Sequence, residues 1–346
     1  MTVKLPTFIS ALLWKSLTIG LIPLFAWIAL ESLDPHLPKA DDPPKLYANQ
    51  VRADLTLTLS KAIERAQESV HLAIYTLYDT KICHALKQKA EEGKRVYVLY
   101  DKGCKGVEKR LGPKVEAVKR SISGLMHQKV LVIDRKEIWI GSANFTSDAL
   151  RNQPNLMIAL NSEDLAASIL ATLTTRLPSG PPFPLARHAF EAVGQRLEFW
   201  QQPSDKGALE RIIAVIGEAK ESLRIAMYTF THPALTEAVV AAHERGVEVE
   251  AVIDRSAGEG SSKKTVERLV GAHVPVRLSR GPSLFHHKLA WIDGSTLICG
   301  STNWTKAAFT KNEDSFVILY ELNGEQQETL EKMWRHSVAT AVPMGP

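Results

Sequence analysis

His127 and His286 each open the same ordered set of polar residues. The first set is His127, Lys129, Asp134, Gly141, Ser142 and Asn144; the second is His286, Lys288, Asp293, Gly300, Ser301 and Asn303, with every gap kept 159 positions later. A lone His-x-Lys is an ordinary surface pair, but six residues repeated with identical gaps inside apolar runs are a chemical signature. Breaking a phosphodiester needs a nucleophile, a proton for the leaving alkoxide and positive charge around the phosphoryl oxygens. Two histidines can supply the first two. One attacks phosphorus as neutral imidazole; the other, protonated, serves the leaving oxygen and then deprotonates the incoming water or alcohol. Lys129 and Lys288 follow their histidines by two on the same strand face, so their ammonium groups converge with the imidazoles. Ser142, Asn144, Ser301 and Asn303 are expected to bind the phosphate oxygens as neutral donors. Asp134 and Asp293 complete the catalytic motifs but end their strands, so their expected role is to hold the turns. The scheme is complete without a cofactor, and no acidic cluster offers a hard-cation site.

The halves also match upstream of the motifs. The segment from Ala66 through Tyr75 reads against that from Ala219 through Tyr228, Gly93 against Gly246, and Asp101 against Asp254, all at an offset of 153. The repeat is far longer than a solenoid unit and describes a duplicated domain. In each half a helical stretch leads to an apolar run (Val70 to Leu77; Leu223 to Phe230). A second helix then stops at Gly93 or Gly246, and another apolar run follows. This alternation predicts α/β architecture twice, built on βαβ units around a largely parallel sheet. The motifs themselves predict strand pairs, Lys129 to Ile133 with Ile138 to Ile140 and Lys288 to Ile292 with Leu297 to Cys299.

With 346 residues the chain has room for two such units, each with its own core. The formal net charge of +4 suits an anionic partner without identifying one. Cys83, Cys104 and Cys299 are too few and too scattered for a disulfide framework or metal cluster. Near the N-terminus, Ala11 to Leu30 is apolar on every face and long enough to cross a bilayer, which needs about 20 residues. Lys4 before it, Lys15 near its start and acids after it orient the remainder outward, to the periplasmic or extracellular face; cleavage of the segment would make the protein secreted. Two proline-rich breaks complete the expected plan: an anchor at 1–32, a linker at 33–48, a first half at 49–176, a linker at 177–186 and a second half at 187–346.

With these residues the chain resembles the phospholipase D superfamily, with its paired HxKxxxxDxxxxxxGSxN motifs, from about residue 50 to 322. Its second half is similar to small bacterial members in Tyr228-Thr-Phe-Thr, Arg245-Gly-Val and Val252-Ile-Asp254. The resemblance implies two α/β/α sandwich halves related by a pseudo-twofold axis, a covalent phosphohistidine, metal independence, and the first-half histidine as nucleophile. Members often carry an acid about 28 residues after each histidine, bonded to its Nδ1. Asp314 stands there after His286, and Asn155 after His127. Asp314 is therefore expected to support His286, making it the more basic general acid, and Asn155 to support His127.

The substrate is expected to be a phospholipid or membrane surface, with hydrolysis or transfer of the headgroup. The anchor favours lipid, as does an apolar rim formed by Leu125-Met126 and Leu284-Phe285. A membrane-tethered nonspecific endonuclease is the second reading, carried by the basic run Lys102, Lys105, Lys109, Arg110, Lys114, Lys119 and Arg120, which suits a nucleic-acid backbone. An inactive phosphate-binding adaptor is the third. Since both motifs lie in one chain, a monomer is expected to suffice. Trp139, Phe145, Trp291 and Trp304 beside the motifs are expected to pack in the core.

Overall fold

Each motif folds as a strand, a tight turn and a returning strand. In the first half β5 (Lys129–Ile133) pairs antiparallel with β6 (Glu137–Gly141); in the second, β13 (Lys288–Ile292) pairs with β14 (Thr296–Gly300). The turns place Asp134 and Asp293 at positive φ, 49° and 50°. Each aspartate repays that strain by accepting three consecutive backbone N–H groups, Gln67 to Ser69 for Asp134 and Lys220 to Ser222 for Asp293. Both are thus turn clamps, at the strand ends remote from the histidines.

The computed structural model describes residues 35–51, 53–174, 178–180 and 184–345. The Ala11 to Leu30 anchor lies outside these residues, as does part of the 177–186 break. Among the described residues, no helix is long and apolar enough to cross a membrane.

The first sheet has seven strands in the order β1-β7-β6-β5-β2-β3-β4, where β1 is Lys45–Ala48, β2 Ser69–Ile74, β3 Arg95–Asp101, β4 Glu116–Arg120 and β7 Leu156–Asn161. The second has nine, β16-β12-β11-β10-β13-β14-β15-β9-β8. Here β8 is Ala189–Ala192, β9 Gln195–Gln201, β10 Ser222–Met227, β11 Glu248–Ile253, β12 Val276–Ser279, β15 Ser315–Leu319 and β16 Ala341–Pro343. The βαβ units are present, with helices Thr80–Glu91 and Pro233–Glu244 crossing between parallel strands and turning off at Gly93 and Gly246, both at positive φ. The expectation of a largely parallel sheet needs correction. Only β2-β3-β4 and β10-β11-β12 run parallel, while the motif hairpins and their neighbours are antiparallel. A two-strand motif closed by a tight turn can pair only antiparallel. The expected 33–48 spacer also differs: its last four residues form β1, which pairs with β7.

Helices Leu55–Glu64 and Thr80–Glu91 cover the outer face of the first sheet, and Ala208–Gly217 and Pro233–Glu244 that of the second. The inner faces share one core. Val130, Val132 and Ile140 meet Leu289, Trp291 and Cys299 there, together with helices Glu163–Thr174 and Gly324–Ala339. The two expected units are therefore halves of a single body spanning Leu37–Pro346. Trp139, Phe145, Trp291 and Trp304 are all buried in these cores, and the three cysteines are buried and unpaired.

The motif glycines allow neighbouring strands to approach closely. A Cβ at Gly141 would lie 2.2 Å from the Leu156 carbonyl oxygen, and one at Gly300 2.2 Å from that of Ser315. Gly300→Ala must push β15 away, and with it the segment carrying Asp314. We expect a loss of about 1–3 kcal/mol on chemical unfolding, the usual scale of overpacking, and reduced activity in the folded fraction. An unchanged unfolding midpoint would refute this account of the motif glycine.

Candidate active site

His127 and His286 stand just before β5 and β13, where those strands meet the C-terminal ends of β2 and β10. Aspartates at the ends of the next strands hold these approaches. Asp101 accepts the N–H of Met126 at 2.9 Å, and Asp254 that of Phe285 at 2.8 Å. Met126 and Phe285 are consequently core residues, and the expected apolar rim reduces to Leu125, 37% exposed, and the partly buried Leu284.

Each histidine is also held by the opposite half. The N–H of His127 donates to the Glu313 carbonyl at 2.8 Å, and that of His286 to the Pro154 carbonyl at 3.1 Å. The side-chain supports cross over in the same way. His127 Nδ1 donates to Asp314 Oδ1 at 2.7 Å, and His286 Nδ1 to Asn155 Oδ1 at 3.1 Å. This reverses the expected pairing: Asp314 supports His127, and Asn155 supports His286. Sequence spacing suggested partners within one motif unit, whereas packing of the halves brings the residues just before β7 and β15 against the other half's histidine.

The supports are fixed from behind. Asn155 Nδ2 donates to the carbonyls of Ala149 and Gln153, which orients its oxygen towards His286. Ser142 Oγ donates to that same oxygen and Ser301 Oγ to Asp314 Oδ1, both at 2.7 Å. Both serines are fully buried and accept a strand N–H, from Leu156 or Ser315. This corrects their expected role as phosphate donors: they lock the residues that lock the histidines. Asn144 and Asn303 remain partly accessible, and it is their side-chain N–H groups, not their buried amide oxygens, that can donate to a phosphate.

Lys129 and Lys288 are buried, and each Nζ donates to the carbonyl of its own histidine, at 2.6 and 3.0 Å. They also lie over tyrosine rings, Lys129 5.2 Å from the Tyr75 centroid and Lys288 5.1 Å from that of Tyr228. The same rings stand 5.0 Å from His127 and 5.1 Å from His286. Tyr75 and Tyr228 were missing from the candidate set, although they occupy matching positions in the repeat. So do Asp101 and Asp254.

Burial dominates the electrostatics. It lowers Lys129 to about 7 and drives Lys288 well below the lysine range, with Lys129 adding repulsion. Burial and Lys129 depress His127 despite the opposing pull of Asp314. His286 is held well below its ordinary value by burial and both lysines. The resting site thus holds two neutral imidazoles with their protons on Nδ1, leaving Nε2 of each for chemistry. An arriving phosphodiester anion would restore charge to the lysines and favour protonation of one histidine. Among the described residues, no group of three or more His, Cys, Asp or Glu is placed to hold a metal ion.

A family model described as "Cardiolipin synthase, PLD-like domain" matches residues 59–176 and 212–335, more than half of the chain. The chain belongs to the phospholipase D superfamily. Mitochondrial cardiolipin hydrolase of Xenopus tropicalis is 32% identical over 136 residues, which cover 38% of this chain and 64% of that protein. A phospholipase D of Rickettsia felis is 29% identical over 132 residues, 37% of this chain and 66% of that protein. The chain therefore spans just under two thirds of the length of these relatives, and each aligns with little more than a third of it. The crystal structure of phosphatidylserine synthase from Haemophilus influenzae superposes over 89% of this chain and 88% of its own, with a TM-score of 0.68 and 15% identity, a likeness of fold.

Proposed function

We propose that this protein is a phospholipase D-type phosphodiesterase that hydrolyses or transfers phospholipid headgroups through a phosphohistidine. The observation that carries the reading is the crossed pair of buried histidines, each fixed as its Nδ1–H tautomer by the opposite half and flanked by a buried lysine. Relatives named as a cardiolipin hydrolase and a phospholipase D support lipid as the substrate class. Association with a membrane through Ala11 to Leu30 belongs to the same reading.

His127 is the nucleophile in this scheme. Its Nε2 forms a bond to phosphorus as the bond to the headgroup oxygen breaks, and His286 Nε2 delivers a proton to that oxygen. His286 next takes a proton from water or an acceptor alcohol, whose oxygen displaces the histidine from phosphorus. The phosphorylated ring retains its Nδ1 proton and is cationic, so the Asp314 carboxylate stabilises the intermediate directly. His286 has only the neutral Asn155 and gains its proton when the anionic substrate binds. Asn144, Asn303 and the lysines bind the phosphoryl oxygens.

The Asn155–His286 contact yields a pH prediction. Asn155→Asp places a carboxylate on His286 Nδ1 and raises its pKa, so the acid form persists to higher pH. The alkaline limb of the rate profile moves up by about one unit, whatever happens to the maximum rate. Asp314→Asn lowers the His127 pKa, so the acid limb moves down while kcat falls. Limbs that move in the opposite sense would reverse the two roles.

The function itself is tested with phosphatidylcholine, cardiolipin, and single- and double-stranded DNA in excess chelator, with His127→Ala and His286→Ala beside the parent. Chelator-resistant lipid turnover lost in both variants is expected. DNA cleavage without lipid turnover would establish the nuclease reading instead.

A further inference from the structure

At the N-terminal end of β2, remote from the catalytic histidines, a cavity of about 480 Å³ opens between the inner face of the first sheet and helix Glu163–Thr174. Tyr75, just beyond the other end of β2, touches the catalytic site. Six residues at about 3.3 Å each put the two places roughly 20 Å apart.

Two buried side chains line the cavity without partners: His71 Nδ1 and Ser69 Oγ. His71 is 4% exposed and Ser69 6%. Orphaned buried polar groups are costly, and a site that holds a ligand is a common reason for keeping them. Two arginines stand at the mouth. Arg95 reaches only an exposed Glu116 at 4.0 Å, a contact of little strength, and Arg135 is exposed at positive φ, 58°. The opposing charge is small. Glu68 is an exposed rim residue, and the Asp134 carboxylate is occupied by backbone N–H groups. Among the described residues, the helix contributes the uncharged Ala167, Leu170, Ala171 and Thr174, and the Tyr97 ring lies 6.1 Å from that of His71.

The other half shows what fills the equivalent place. Arg224 occupies the position of His71, ion-pairs with Glu331 of helix Gly324–Ala339 at 2.7 Å, and lies over the Trp291 ring at 4.9 Å. That half has Glu248 and Gly294 where the first has Arg95 and Arg135. One half thus carries its own partly exposed anion partner, while the other offers cations and donors around a cavity.

We propose that this cavity is a second, non-catalytic binding site for a phosphate monoester group, either free or on a lipid. The arginines pair with the anion as Glu331 pairs with Arg224, and Ser69 and His71 bond its oxygens. His71 starts neutral, lowered to about 4 by burial and by Arg95 and Arg135. A bound anion raises that value, so binding takes up protons and tightens as pH falls.

The test is an NMR titration of histidine ring signals in the full chain in detergent, carrying Lys129→Ala and Lys288→Ala so that the catalytic cradle is weakened. The probes are inorganic phosphate, sn-glycerol 3-phosphate and dihexanoyl phosphatidic acid. We expect saturable movement of the His71 signal, weakened at least tenfold by Arg95→Gln with Arg135→Gln. Tenfold tighter binding of the phosphatidic acid would identify a lipid source, since Ala167 and Leu170 provide an apolar wall; equal affinities would identify free phosphate. An unmoved His71 signal with all three probes, or a response indifferent to the arginines, would overturn the proposal. Neither result depends on turnover, so the site stands or falls apart from the catalytic reading.

Discussion

Replacing His127 with alanine should lower kcat by on the order of 10⁴-fold or more, because it removes the atom that bonds to phosphorus. His286→Ala removes only proton transfer, a contribution of about 10²–10⁴-fold. The two losses should not add, since both residues serve one reaction path. A p-nitrophenyl phosphodiester separates them, because nitrophenolate leaves without a proton. With that substrate His286→Ala should still release a burst of nitrophenolate and trap the phosphorylated enzyme, whereas His127→Ala should release none. A burst from His127→Ala that is absent from His286→Ala would exchange the two roles. It would also imply that Asp314 serves the general acid and not the covalent intermediate.

Glu313→Gln should destabilise the protein by about 3–5 kcal/mol, the usual cost of leaving one member of a buried ion pair uncompensated. Arg120, at the end of β4, is completely buried and forms a bidentate pair with Glu313 of the other half, its Nε 3.0 and 3.1 Å from the two carboxylate oxygens. The guanidinium also donates to the Gly180 carbonyl. The Glu313 backbone bonds to His127 and Leu125, and Asp314 follows it, so the pair clamps the strand that supports the nucleophile. Activity should therefore fall further than the folded fraction does. Replacing both members by apolar residues, Arg120→Met with Glu313→Leu, should recover much of the stability, as no charge is then stranded. Chemical unfolding measures both variants, and equal losses for the single and double changes would count against a charge-based account. Arg120 is accordingly buried and no part of a basic surface formed by the run Lys102 through Lys119.

Much of the site was legible because local spacing expresses local geometry. The His-x-Lys step places two side chains on one strand face, the Asp before the turn clamps it, and the glycine admits the neighbouring strand. These relations span few residues and appear twice, so the repeat separated them from coincidence. The helix stops at Gly93 and Gly246 and the motif hairpins were readable for the same reason. Tyr75, Tyr228, Asp101 and Asp254 were also visible as matched positions. Their roles were not, because an aromatic or an aspartate at a strand end acquires a role only from what packs against it.

The sequence by itself determined the duplicated α/β plan, the paired histidines and lysines and the kind of chemistry they suit. Tertiary structure alone decided which support reaches which histidine, that Ser142 and Ser301 face the supports, and that Arg120 is buried in an ion pair across the halves. The first and last of these depend on packing one half against the other, which joins Arg120 to Glu313, 193 positions apart. Spacing within a half carries no record of such contacts. Asp314 lies 28 positions beyond His286 in the chain, yet its carboxylate accepts from His127, because the two sheets close face to face and the residue just before β15 meets the other half's histidine.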